Sequence, residues 1–219
     1  MIKVSVVIPV HNDAKFINDC MRSVLSQSFS ELELIVVDDG STDDSGHIIN
    51  SIKDARIRSI RIAHAGAAVA RNAGIKIAQG ELIAFLDADD LWAKHKLMIQ
   101  LAHYQAGQLN FTHLREFIDV GSDVIHLNAA TPGISPITLL LSHANFLKIG
   151  MFQEQLQVAE FIEWQDRAKH CGMQFHVLNN ILAFRRIHAD NMGRANKPHA
   201  YQYANSIKIV LDRKRQNIK

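Results

Sequence analysis

The sequence predicts an α/β fold in which a mostly parallel sheet is flanked by helices. Short apolar runs rich in β-branched residues alternate with segments whose apolar residues recur at helical spacing. Polar clusters follow three of these runs, at residues 9–12, 38–43 and 87–90. Because ligands of such sheets gather outside the carboxyl ends of the strands, we expect the three clusters to meet at one site.

The composition is that of a folded protein. Of 219 residues, 47% are hydrophobic and 21% are charged, which excludes global disorder, and the net charge of +2 argues against nucleic-acid binding by bulk electrostatics. No apolar run approaches the roughly 18–20 residues that span a bilayer, and the first is too short for a secretory signal. We therefore expect a cytoplasmic protein with Cys20 and Cys171 as buried free thiols.

The first two strands each lead into a polar turn and a helix. Val4–Val10 reads as the first strand, and helical spacing follows over residues 16–25. Leu32–Val37 reads as the second strand. It leads into residues 38–43, where a turn at glycine and a hydroxyl or carboxylate cap would start the helix that carries residues 48–52.

The next segments repeat this alternation. Ile57–Ile62 reads as a weaker third strand, and the alanine-rich stretch Gly66–Ala78 reads as a helix, with Gly80 as its C-cap. The run Leu82–Leu86 is apolar throughout, as expected of a strand buried on both faces. Trp92–Tyr104 reads as another helix.

The second half of the chain carries fewer signals. A short helix at Leu114–Ile118 is the only element predicted between residues 105 and 135. Strands are predicted at Ile137–Leu141, Gln174–Val177 and Ile181–Arg186. The tail, residues 199–219, has apolar residues at helical spacing and a basic end, so a docked terminal helix with weak attraction to an anionic membrane is expected.

The strongest functional signal is the acidic run after the apolar strand. Side chains alternate along a strand, so Asp87 and Asp89 should point the same way and repel each other unless a cation lies between them. Oxygen ligands suit Mg²⁺ or Mn²⁺, which are often completed by water and phosphate oxygens. The alternative is a polar loop in which Asp89 or Asp90 caps the next helix.

Five segments of the chain form a set in a characteristic order: Pro9–Asn12, Ser26–Phe29, Val37–Asp43, Ala70–Gly74 and Phe85–Asp90. Together they resemble the inverting family 2 glycosyltransferases, which have the GT-A fold. The resemblance implies a nucleotide-sugar donor, most often with UDP, a divalent cation, and a hydroxyl acceptor on a glycan, a lipid-linked sugar or another molecule. It divides a single domain into a donor and metal half at 1–104, an acceptor half at 105–198 and the tail.

The resemblance implies roles for residues of the first half. Pro9 and His11 would line the nucleotide base, and Asp39 would accept its N–H, since a carboxylate is an acceptor only. Asp38 would hold the turn, and capping of the next helix is the alternative for both aspartates. Arg71 would lie near the base or the diphosphate, with an exposed arginine on a helix face as the alternative.

Further roles concern the metal and the diphosphate. Asp87 would face the ribose or the metal, and Asp89 would bind the metal. Arg186 could clamp the diphosphate, and His188 could be a metal ligand or contact a phosphate oxygen. A lone histidine is more often a surface or packing residue, so both interpretations of His188 stay open.

The general base departs from the family pattern. Family members carry a Glu-Asp pair that opens a helix, and the aspartate is the usual base, but here the pair reads Glu160-Phe161. We expect Glu160 to serve as base, with Glu163 one turn further along as the second choice. Alternatively, Glu160 favours the helix dipole, Glu163 pairs with Arg167, and Asp166 is solvated.

Two rival functions remain. A chain that has lost its base could be a binding module for nucleotide and metal without turnover. A nucleotidyltransferase would share the sheet and the metal, but it would normally need a glycine-rich basic loop after the first strand, and Pro9–Asn12 contains neither glycine nor a basic arginine or lysine.

Overall fold

The structure is a computed structural model that describes residues 3–121, 123–156, 159–188 and 191. The first half of the chain contains β1 (Val4–Val10), α1 (Ile17–Leu25), β2 (Leu32–Asp39), α2 (Ser45–Ser51), β3 (Ile57–Ile62), α3 (Ala67–Ile77), β4 (Leu82–Phe85), β5 (Leu91–Trp92) and α4 (Lys96–Ala102). The second half contains β6 (Gln108–Val120), β7 (Asp123–His126), β8 (Thr131–Gly133), a 3-10 turn (Pro136–Thr138), β9 (Leu140–Ser142), α5 (His143–Ile149), α6 (Glu160–His170) and β10 (Gln174–Arg186).

The strands form one sheet in the order β3-β2-β1-β4-β9-β6-β10-β5, and β7 and β8 add to β6. The first four strands in this order are parallel, as crossover helices require. β9 then pairs antiparallel with β4, and β10 is parallel to β6. The predicted α/β class is confirmed.

Parallel register brings the ends of three strands to one edge. Val10 pairs with Asp38 across β1 and β2, and Val7 pairs with Phe85 across β1 and β4. Residues 9–13, 38–43 and 87–90, which follow or end these strands, therefore lie along the same edge, and we call them the strand-end rim. The predicted meeting of the three polar clusters follows directly from this register.

The core lies on both faces of the sheet, and α3 approaches one face unusually closely. A Cβ atom at Gly74 would lie 2.4 Å from a methyl carbon of Val7 and 3.3 Å from one of Val37. The backbone of α3 therefore rests directly on β1 and β2. All seven residues of β1 and all eight of β2 are buried, which explains their nearly continuous apolar sequence.

Several predicted elements differ from the structure. The helix predicted at Leu114–Ile118 is wrong, because these residues lie inside β6 and pair with β10 and the edge strands β7 and β8. The two strands predicted over residues 174–186 are one strand with register shifts, and Ile137–Leu141 begins as a 3-10 turn. The helix predicted from Trp92 begins at Lys96, since Leu91–Trp92 pairs with β10.

Other predictions concern thiols and membranes. Both cysteines are free, with Cys20 buried and Cys171 partly exposed. Within the described residues, no helix has the length and apolar character needed to cross a membrane. The tail predicted as a terminal helix, residues 199–219, lies outside the described residues.

Candidate active site

The acidic run after β4 meets side chains from two other parts of the chain, α3 and the segment after β10. One oxygen of Asp87 accepts a hydrogen bond from Arg71 at 2.6 Å. One oxygen of Asp89 lies 3.0 Å from Nε2 of His188 and accepts from the amide of Asn191 at 3.0 Å. Asp87, Asp89 and His188, predicted together as a metal site, are therefore brought to one corner of the rim.

This corner carries more negative charge than its neighbours compensate. Burial and then the charge of Asp87 raise the pKa of Asp89, and burial followed by Asp89 and Asp87 raises the pKa of Asp90 well above its ordinary value. Asp13, which the sequence analysis did not single out, has its pKa raised to about 6 by burial and by Asp89. Clustered carboxylates with hard oxygen donors fit a divalent cation such as Mg²⁺ or Mn²⁺.

Asp90 and Arg186 act within the protein at this corner. The buried Asp90 accepts a hydrogen bond from the backbone N–H of Arg186 at 2.8 Å. The guanidinium of Arg186 donates to the Asp89 carbonyl at 2.8 Å and forms an ion pair with Asp119. It also lies between two phenylalanine rings, Phe16 and Phe117, at 4.9 and 4.7 Å from their centroids. To clamp a diphosphate, Arg186 would have to exchange one of these partners.

Arg71 joins the donor half to α6. It is 5% exposed, so the alternative of an exposed arginine on a helix face is wrong. Its guanidinium donates to Asp87 at 2.6 Å and to Glu160 at 2.5 Å, while its Nε is buried without a partner. Burial opposes the charge of Arg71, but Asp87 and Glu160 together raise its pKa. The guanidinium of Arg71 therefore binds two carboxylates that lie 73 positions apart in the chain.

The site predicted for the nucleotide base is built around Asp39. Its carboxylate accepts from the backbone N–H groups of Ala65 and Gly66, each at 2.8 Å, and lies 3.0 Å from Nδ1 of His64. Nδ1 of His11 lies 2.7 Å from the Asp39 carbonyl, and the rings of His11 and His64 stack 3.8 Å apart. Ligand atoms of the two histidines and Asp39 lie within 4.8 Å of one another, so this cluster could also hold a cation.

Two other predicted residues shape the turn beside this corner. Pro9 is buried within β1 opposite Val37, at the start of the rim. Asp38 accepts from the N–H of Ser41 at 2.8 Å, which is the turn-holding role predicted for it. Asn12, for which no role was predicted, has a left-handed conformation, and its side-chain oxygen accepts from the N–H of Thr42 at 2.8 Å.

The two candidate bases on α6 lie in different surroundings. Glu160, 8% exposed, reaches Arg71 and thereby the Asp87 corner. Glu163 is fully buried and lies 3.0 Å from both Arg167 and Gln153, so the alternative ion pair is present. Asp166, predicted to be solvated, is only 5% exposed, because this face of α6 packs against the protein.

Phe161 belongs to the core. Its ring is 6% exposed and stacks on Trp164 with centroids 5.7 Å apart, and it also packs near Phe152 and Phe111. The residue at the family's usual base position therefore faces an aromatic cluster, and a carboxylate in the same place would be buried.

The chain matches a known family and several of its members. The sequence model described as Glycosyl transferase family 2 matches residues 5–179. The chain is 29% identical over 217 residues to the Escherichia coli protein named UDP-Glc:alpha-D-GlcNAc-diphosphoundecaprenol beta-1,3-glucosyltransferase WfaP, covering 94% of this chain and 86% of that one. It is 45% identical over 112 residues to an uncharacterized glycosyltransferase of Rickettsia felis, covering 51% of this chain but only 19% of that one.

Solved structures match at the level of the fold. The structure of S. aureus TarS 1-349 in complex with UDP-GlcNAc superposes with a TM-score of 0.78 at 20% identity, covering 95% of this chain and 65% of that one. A complex of the same TarS fragment with UDP matches with a TM-score of 0.75. The sheet and helices described above are thus those of a GT-A glycosyltransferase.

Proposed function

The chain belongs to glycosyl transferase family 2, and from that premise we propose that it transfers a sugar from a UDP-sugar to an acceptor hydroxyl, with inversion and with a divalent cation. The observation that carries the proposal is the bridge made by Arg71. It places the candidate base Glu160 one guanidinium away from Asp87, at the corner suited to a cation and a diphosphate.

We assign the nucleoside to the corner of Asp39 and His11. A carboxylate offers about four lone-pair directions, and three are already used by Ala65, Gly66 and His64, which leaves one for a base N–H. The His11 ring offers a flat surface for a pyrimidine, provided that His64 moves off it. Uridine is favoured because the E. coli relative is named for UDP-Glc and TarS was solved with UDP and UDP-GlcNAc.

Asp87, Asp89 and His188 would hold the cation, Mg²⁺ or Mn²⁺. When bound there, such an ion supplies Lewis-acid stabilisation of negative charge on the departing diphosphate. The protein's own contribution is to hold two of these ligands in place: Arg71 orients Asp87, and Asn191 orients Asp89.

Glu160 takes the proton of the acceptor hydroxyl in this proposal. The acceptor oxygen forms a bond to the anomeric carbon as the bond from that carbon to the UDP oxygen breaks on the opposite face, so the configuration inverts. The proton passes to the carboxylate of Glu160, which Arg71 holds in place by an ion pair. We assign Glu163 to the structure of α6, because it is fully buried beside Arg167.

The acceptor class is proposed from the relatives. The E. coli protein is named for a diphosphoundecaprenol-linked sugar, so a lipid-linked acceptor, reached by peripheral contact with a membrane from the cytoplasm, is the leading candidate. Because the match spans only 19% of the Rickettsia felis relative, the activity of such a longer protein as a whole is a further proposal.

A binding module without turnover is the second candidate, and the packing of Phe161 at the usual base position favours it. It predicts the same nucleotide and metal binding but no sugar transfer. The two functions are therefore separated by turnover and not by affinity.

The test starts with thermal shifts of the purified chain in the presence of uridine nucleotides and UDP-sugars, with and without Mn²⁺. Ligands that bind the native state raise the melting temperature by mass action. UDP release from the UDP-sugar that stabilises the chain most is then measured for the wild type, Asp89→Ala and the exposed control Asp123→Ala. We expect Asp89→Ala to lose roughly two or more orders of magnitude in turnover and the control to lose none.

The outcomes are distinct. Stabilisation without any turnover would establish the binding module, and a flat response to every uridine compound would refute both candidates. Near-full turnover in Asp89→Ala would remove Asp89 from the metal site.

A further inference from the structure

The segment Ile149–Phe152, which we call the strap, connects α5 to the loop before α6, and side chains hold each of its carbonyl groups. Gly150 adopts a positive φ of 95°, and a Cβ there would lie 2.9 Å from Arg167, so the strap closes tightly on α6. The four hydrogen bonds are Arg167 to Ile149 O at 2.7 Å, Trp164 to Gly150 O at 2.9 Å, Arg167 to Met151 O at 2.7 Å and Asn72 to Phe152 O at 2.9 Å.

These four bonds come from two helices. Arg167 and Trp164 belong to α6, so the first three bonds attach the strap to α6. Asn72 belongs to α3 and sits next to Arg71, the residue that bridges Asp87 and Glu160. The bond at Phe152 is therefore a tie between the donor half and the helix that carries the candidate base.

The tie is made in both directions. The amide of Asn72 donates to the Phe152 carbonyl at 2.9 Å, and its oxygen accepts from the Phe152 N–H at 3.0 Å, as a neighbouring strand would. The same amide also donates to Glu154 at 3.1 Å. Asn72 is 1% exposed, so water does not compete for these bonds.

Aromatic packing extends the tie to the strand that leads into Asp87. The ring of Phe152 lies 5.6 Å from Phe85, the last residue of β4, and 5.8 Å from Trp164 of α6. A shift of Phe152 would therefore move α6 relative to β4. Glu160 stands at the first position of α6 and would move with it.

We propose that Asn72 is a positioning residue that sets where Glu160 stands relative to Arg71 and Asp87. This rests on the proposed function, in which Glu160 is the base. Without the Asn72 bonds, the strap stays attached to α6 through Arg167 and Trp164. The strap and α6 together, however, lose their hydrogen bonds to α3. A base misplaced by about 1 Å can cost on the order of a hundredfold in rate, while the nucleotide corner, built on other residues, is left unchanged.

The experiment compares Asn72→Ala with Ser5→Ala. Ser5 is an equally buried polar residue with hydrogen bonds to Glu33 and to Gly80, at 2.6 and 2.8 Å, and neither bond involves the strap. For Asn72→Ala we expect kcat to fall about 30- to 100-fold while the UDP dissociation constant changes less than about threefold. For Ser5→Ala we expect kcat within about threefold of the wild type. Asn72→Ser, which retains a small polar group, replaces Asn72→Ala if that variant does not fold.

Hydrogen exchange provides a readout that does not require turnover. The Phe152 N–H is bonded to Asn72, so its exchange should accelerate about tenfold or more in Asn72→Ala and stay unchanged in Ser5→Ala. Equal loss of kcat and UDP affinity, or unchanged exchange at Phe152, would overturn the inference. If the wild type transferred no sugar, the proposed function would fail, and exchange alone would decide whether Asn72 holds the strap.

Discussion

Two aspartates of the strand-end rim, Asp13 and Asp89, and the two glutamates at the start of α6 have different electrostatic surroundings. At the rim, burial and mutual repulsion raise the pKa values of Asp89 and Asp13. On α6, Glu160 and Glu163 each face an arginine, at 2.5 and 3.0 Å. The difference indicates that the rim around Asp13 and Asp89 is suited to bind a cation, whereas the two glutamates of α6 are already paired with arginines, Arg71 of α3 and Arg167 of α6.

This contrast separates two requirements of the proposed reaction. A cation site needs surplus carboxylate charge before the ion arrives, at a cost in stability. A base needs a carboxylate that is already ionised and fixed in place. Arg71 allows the two carboxylates to lie close together without repelling each other, because its positive charge lies between Asp87 and Glu160.

The largest expected effect comes from neutralising the two glutamates at the start of α6 one at a time. We expect Glu160→Gln to lower kcat by roughly 10²- to 10⁴-fold, the usual contribution of a general base, with little change in UDP affinity. Glu163→Gln is the matched control, and it should lower the melting temperature but keep kcat within about threefold. Steady-state kinetics and thermal melts decide, and near-normal turnover of Glu160→Gln would show that the base lies elsewhere.

The next largest effect concerns Phe161. Restoring the family's usual carboxylate with Phe161→Asp should destabilise the fold by about 3–5 kcal/mol, because a ring packed on Trp164 is removed and a charge is buried. Phe161→Leu should cost less, since it stays apolar. Denaturant unfolding measures both variants. A folded Phe161→Asp with raised turnover would instead mark the natural site as degenerate.

The smallest expected effect concerns Asp13 at the rim. Because the pKa of Asp13 is raised to about 6, the folded protein binds this proton more tightly than the unfolded chain does. Its contribution to stability is therefore largest below about pH 4, is lost as the pH rises to about 6, and stays lost above. Asp13→Asn should be more stable than the wild type by roughly 1–2 kcal/mol at pH 7.5, after allowance for solvent screening, and no more stable at pH 4.

Thermal melts at the two pH values measure this difference for Asp13→Asn. Adding Mn²⁺ should shrink it at pH 7.5 if the rim binds the ion. A difference in stability that does not depend on pH would mean that the surroundings of Asp13 do not raise its pKa.

The sequence was informative where a local pattern encodes the structure. The apolar runs of β1, β2 and β4 predicted buried parallel strands, and the polar residues at their ends predicted the rim. Asp38 lies three residues before the N–H that it binds, so its role in the turn was also readable. Each of these features depends on neighbours within a few positions or on the rule that parallel strands end at one edge.

Long-range contacts were not readable in the same way. Arg71 and Glu160 lie 89 positions apart, and nothing in either neighbourhood specifies that they pair. Asn72 contacts Phe152 across 80 positions, and the sequence analysis passed over it. The strand at Leu114–Ile118 was mistaken for a helix because its partners in β7, β8 and β10 are themselves short or irregular patterns.

The missing side chain at Gly74 determines how well the two sites can keep their spacing. The α3 backbone packs directly against methyl groups of Val7 and Val37, so no side chain at position 74 separates the helix from the sheet. Arg71 and Asn72 lie in the same helix turn as Gly74, so the distance of this turn from the sheet also sets the position of both residues. The distance between the proposed sugar-donor site and the proposed base Glu160 therefore depends on a glycine that belongs to neither.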